Sequence, residues 1–137
     1  MLDVHHQEQV KALLAKMKCE VELPEEWRDS FFEETGVANA HYNDRRRFVR
    51  HKFRSEAILD VAKSLPHIER KTDRCAVYTV DISRGGFAFL HTQQLFPSER
   101  CRLWLPTQSI ILEVCRCRRY NERCYLIGAR PLKESEA

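Results

Sequence analysis

The stretch Cys75-Ala76-Val77-Tyr78-Thr79-Val80-Asp81-Ile82-Ser83-Arg84-Gly85-Gly86-Phe87-Ala88-Phe89-Leu90 joins two apolar runs through a polar turn. Both runs are rich in the β-branched and aromatic residues that suit a pleated surface, and Arg84-Gly85-Gly86 breaks them where the chain must reverse. Working outward, the same rhythm repeats. Strands are expected near 53–63, 74–81, 86–91, 100–106, 109–119 and 124–130. Between them stand Ser64-Leu65-Pro66, Pro97-Ser98, Pro106-Thr107 and Asn121-Glu122, all turn or breaker combinations. Short strands at close spacing predict a mainly β chain, a six-stranded antiparallel β-barrel, since closure leaves no open sheet edge.

Upstream of residue 42 the period changes. Val10, Leu13, Leu14 and Met17 follow helical spacing, and the pattern predicts a helix between Val4 and Val21. Pro24 opens a second short helical pattern with Trp27, Phe31 and Phe32 on one side and Gly36 at its end. Residues 36 to 47 hold no apolar period and grow steadily more basic. The chain therefore divides into an N-terminal α-helical extension and linker (1–41), a barrel (42–131) and a polar tail (132–137). Charge divides it the same way. Residues 1 to 35 carry nine acids against four bases, so the remainder must carry +8 to give the net +3. The acidic part is suited to rest against the basic body, and the basic body to bind an anion.

Length and composition bound the function classes. A chain of 137 residues with 43% hydrophobic and 31% charged residues suits one folded, soluble domain. No apolar run approaches the roughly 20 residues of a membrane span. Met1-Leu2-Asp3-Val4-His5-His6-Gln7 lacks the regions of a signal peptide, so a cytoplasmic location is expected. In that setting the six cysteines, Cys19, Cys75, Cys101, Cys115, Cys117 and Cys124, are expected as reduced thiols packed in the core or on strand faces. Cys115 and Cys117 are expected on the same face of a strand, where Cys acts as a small hydrophobe. No C-x-x-C pair offers a metal site, and none is expected. There is no G-x-S-x-G around Ser83 and no phosphate loop, so no enzyme and no cofactor are expected.

Two motifs carry the chemistry. Arg45-Arg46-Arg47-Phe48-Val49-Arg50 opens a cluster of six bases within ten residues, completed by Lys52 and Arg54. Guanidinium forks match phosphate oxygens and the O6/N7 edge of guanine, and their flat faces stack on purines. The second motif is the turn already quoted. Asp81 can accept from guanine N1–H and the exocyclic amine together, Ser83 adds a hydroxyl, and Gly85 and Gly86 permit close backbone approach. Each motif alone also fits a plain reading, a solvated basic linker and an ordinary tight turn. Arg116, Arg118 and Arg119 fit the wet side of a strand.

Together, Arg46-x-x-x-Arg50 and Asp81-x-Ser83-x-x-Gly86 resemble the RxxxR and [D/N]xSxxG signatures of the PilZ family, bacterial receptors for the second messenger cyclic di-GMP. The resemblance covers residues 42 to 131 and implies a six-stranded PilZ-like barrel. It implies a cyclic di-GMP site made by Arg45, Arg46, Arg50, Asp81, Ser83 and Gly86. Arg50-x-x-x-Arg54 also satisfies RxxxR, but Phe53 to Val61 reads as the first strand and would place Arg54 inside it. Arg45 completes RRxxxR, which in the family resembles sites for an intercalated cyclic di-GMP dimer. Gly128 resembles a family position on the last strand. Two features depart from the pattern: the tail is too short and polar for a closing helix, and His51-Lys52 stands where a proline often follows.

The resemblance implies a non-enzymatic receptor that passes a conformational change to a protein partner, with no membrane and no specific nucleic acid among its partners. Two alternatives remain at this stage. One is a PilZ-like adaptor that binds proteins without nucleotide, although such members typically lack the arginine motif. The other is a small basic barrel that binds nucleic acid nonspecifically, with steep salt dependence.

Overall fold

A computed structural model describes residues 4–28, 30–34, 51–63 and 74–133. One helix, α1 (Val4–Lys16), precedes two single 3-10 turns, Glu25–Trp27 and Phe31–Glu33. The strands follow: β1 (His51–Lys52), β2 (Glu56–Lys63), β3 (Arg74–Ile82), β4 (Phe87–His91), β5 (Arg100–Trp104), β6 (Ser109–Asn121) and β7 (Cys124–Pro131). Neighbours run β3-β2-β5-β6-β7-β4, and β4 pairs back onto β3. That last pairing closes a six-stranded antiparallel barrel, as the turn spacing predicts. The two-residue β1 is a flank laid against the end of β3.

Strand alternation sorts the residues. Ala57, Leu59, Val77, Phe87, Phe89, Leu103, Leu112, Val114, Ile127 and Ala129 fill the barrel interior. Their outward-facing neighbours would normally meet water. Here many do not, because the N-terminal segment wraps the outside. Val10 of α1 is buried, and α1 shares a cleft with Ile58, Arg74 and Trp104 on the outer face of β2, β3 and β5. Val21 and Phe31 join Val80, Ala88, Leu90 and Cys124 in a second apolar cluster over β3, β4 and β7.

The helix is shorter than its apolar spacing predicts. It ends at Lys16, and residues after Met17 run extended. The reason is visible in the packing. Cys19, Val21 and Leu23 face the second cluster, while Glu20 and Glu22 face water. This is a period of two, and a helix would scatter these residues around its circumference. The Glu22 amide donates to the Arg123 carbonyl at 3.1 Å, and Asn121 Nδ2 donates to the Glu22 carbonyl at 2.9 Å. The pattern after Pro24 is likewise reduced to two 3-10 turns. Phe31 is buried, but Phe32 is 48% exposed, so the aromatic residues do not all share one side. The expected end at Gly36 lies outside the described residues.

A second departure concerns β6. The register shifts between Val114 and Arg116, an extra residue in the strand. Val114 and Cys117 therefore both face the interior, and Cys115 is turned out and exposed. The expectation that Cys115 and Cys117 share a face fails because the bulge breaks the alternation.

Candidate functional site

The β3–β4 hairpin holds the second motif. Its turn is closed by the Ser83 amide donating to the Gly86 carbonyl at 2.9 Å, and the Ser83 hydroxyl reaches the same oxygen at 3.4 Å. Gly86 is buried, while Asp81 and Ser83 are half-buried and accessible. A register shift between Thr79 and Asp81 adds a residue to β3 at this point. Bulges re-aim side chains next to binding sites. Asp81 thereby pairs with Ala88, whose side chain belongs to the outer cluster, and so it takes the outer face of the barrel.

Strand β1 and the segment after it are laced to the same end of β3. His51 pairs with Ile82 and Lys52 with Asp81. The Phe53 amide donates to the Val80 carbonyl at 2.9 Å. Thr79, fully buried, donates its hydroxyl to the Phe53 carbonyl at 2.6 Å and accepts from the Ser55 amide at 2.9 Å. One threonine thus satisfies two backbone groups that the irregular segment leaves open. The chain segment that follows the arginine motif therefore meets the hairpin that carries Asp81. Arg45, Arg46 and Arg50 themselves lie outside the described residues, so of the expected site the structure brings together Asp81, Ser83 and Gly86 only.

Arg54 is the residue that motif spacing misread. It precedes β2, which begins at Glu56, and so it is not inside the first strand. Its Nε donates to the Val80 carbonyl at 2.9 Å and its Nη2 stands 3.3 Å from a Glu34 carboxylate oxygen. Its guanidinium lies 4.5 Å from the Phe31 ring centre and 5.6 Å from that of Trp27. Burial lowers its pKa, opposed by the charges of Glu34 and Asp81. Nη1 is buried with no hydrogen-bond partner among the described residues. Lys52 Nζ meets the same Glu34 carboxylate at 3.7 Å. The acidic extension does rest on the basic body, here and where Glu20 pairs with Arg123 at 2.9 Å.

On the far side of the outer face, Arg116 pairs with Gly128 across β6 and β7. A β-carbon on Gly128 would sit 2.9 Å from Arg116 Cγ, so the glycine leaves room for the arginine stem to cross the strand. Arg116 and Arg118 are exposed, in keeping with the wet side of β6. Among the described residues no group of three or more metal-ligating side chains comes together. No described helix is long and apolar enough to cross a membrane.

A closed six-stranded barrel with a polar hairpin on its outer face, and a basic segment paired beside it, defines a small binding domain. The family model for the PilZ domain matches residues 44–134, well over half of the chain, and the chain belongs to that family. PilZ domains are binding domains of the cyclic di-GMP type. No curated relative and no solved structure matches this chain.

Proposed function

We propose that this chain is a non-enzymatic receptor for cyclic di-GMP. Arg46 and Arg50 grip phosphates and guanine edges, Asp81 and Ser83 read guanine, and Gly86 admits the ligand close to the backbone. Arg45 adds a further planar cation for a second, intercalated ligand molecule. Binding changes the position of the basic arm relative to the N-terminal extension, which alters a surface offered to a protein partner.

The observation that carries this reading is the pairing of His51 with Ile82 and Lys52 with Asp81. One residue separates Arg50 from Lys52, and consecutive Cα atoms are about 3.8 Å apart. The chain that follows Arg50 is therefore paired with Asp81 two residues later, at Lys52. That pairing supports a site shared by two motifs some thirty residues apart in sequence, which the reading of either as a plain linker or turn does not require.

Titration calorimetry with cyclic di-GMP tests it, with GTP and a short oligonucleotide as controls. Arg46→Ala or Arg50→Ala removes a charge-assisted contact worth about 1.5–3 kcal/mol, so affinity should fall more than tenfold while the barrel stays folded. Unchanged affinity in both folded variants would count against the site. Absence of cyclic di-GMP binding by the wild-type chain would favour a nucleotide-independent adaptor.

A further inference from the structure

We infer that Lys52 and Arg54 form an additional phosphate subsite beside Asp81, and that the Glu34 carboxylate fills it when no ligand is bound. The inference rests on the receptor reading and adds residues and a competitor to it.

Three observations converge. First, one carboxylate faces two cations: Glu34 stands 3.3 Å from Arg54 Nη2 and 3.7 Å from Lys52 Nζ. Charge-assisted N–H···O bonds close to about 2.7–2.9 Å when unconstrained, so Glu34 fills the notch loosely. Second, the Arg54 side chain is only 8% exposed, yet its Nη1 donor has no partner among the described residues. A buried donor left unpaired is costly and calls for an acceptor. Two parallel guanidinium N–H groups suit the two free oxygens of a phosphodiester, while Glu34 engages Nη2 from a backbone tethered at the end of the Phe31–Glu33 turn. Third, position is right. Lys52 is the direct cross-strand partner of Asp81, and directly paired side chains share a face with Cβ atoms about 4.5–5.5 Å apart.

The arrangement makes ligand entry and strap displacement one event. A phosphate that takes the Lys52–Arg54 pair must expel Glu34. Glu34 directly follows the turn that seats Phe31 on the barrel, so its departure loosens the end of the extension.

The test is a set of cyclic di-GMP titrations on wild type, Glu34→Gln and Lys52→Ala, each with its thermal midpoint. Glu34→Gln keeps the side-chain shape and removes the competing charge. It should tighten binding by about threefold or more, the scale of one to two partly exposed ion pairs, while lowering the thermal midpoint slightly. Lys52→Ala should weaken binding by a similar factor. A purely structural Glu34 would instead leave affinity unchanged or lower it together with stability. Wild-type binding with no tightening in Glu34→Gln, or with full affinity in Lys52→Ala, overturns the subsite and leaves the receptor assignment standing. No binding by wild type overturns both.

Discussion

Cys115 and Cys117 stand two residues apart on β6 in opposite environments, because the bulge at this point turns Cys115 to solvent and Cys117 to the barrel interior. The thiolate is the reactive form, and burial disfavours it. Burial pushes Cys75 and Cys101 up to about 12 and Cys124 up to about 11, and it raises Cys19 and Cys117 as well. In the native protein at mildly alkaline pH, a limiting alkylating reagent should therefore label Cys115 first. After denaturation without reductant, all six thiols should react. Peptide mapping checks this, and native labelling spread evenly over the six would contradict the burial pattern. Arg54 makes the complementary point. Its side chain is held by the Val80 carbonyl, the Phe31 ring and Glu34, contacts that its place in an arginine-rich run does not announce.

At the scale of elements, the N-terminal extension is a strap held by side-chain packing more than by its own helix. Phe31 is its anchor, 2% exposed and in ring contact with Trp27, Phe32 and Tyr78. Truncating a buried phenylalanine costs the transfer free energy plus the cavity left behind. Phe31→Ala should lose about 3 kcal/mol of unfolding free energy, measured by denaturant titration. A loss below about 1 kcal/mol would mean that the strap contributes little to the folded state. The barrel strands were legible because inward and outward residues alternate between clear turn signals. The strap was less so. Val10, Leu13 and Met17 announced a helix, but the alternation of Cys19, Val21 and Leu23 that ends it was hidden by the apparent continuity of the apolar spacing.

For the whole molecule, charge and ligand number belong together. The acidic strap answers part of the body's positive charge through Glu20–Arg123 and Glu34–Arg54. On the proposed reading, the arginine run supplies the charge that meets the phosphates of the ligand. Two intercalated cyclic di-GMP molecules concentrate their phosphate charges in a small volume, which calls for more planar cations than one molecule does. Calorimetry at saturation should give two ligands per chain, falling towards one in Arg45→Leu. A wild-type ratio of one would refute the dimeric ligand without touching the receptor assignment.

The sequence by itself determined the class of fold, the strand order along the chain and the two motifs. Turn residues, β-branched runs and short signatures are local properties, and local chemistry suffices to read them. Only the tertiary structure decided which distant segments meet. The β2–β5 and β4–β7 pairings and the register of Lys52 on Asp81 depend on barrel closure and bulges, which no local window contains. The same holds for the place of Arg54 under the strap and the outward turn of Cys115. Each depends on one strand carrying an extra residue, or on a remote apolar surface needing cover, and those are requirements of the assembled barrel.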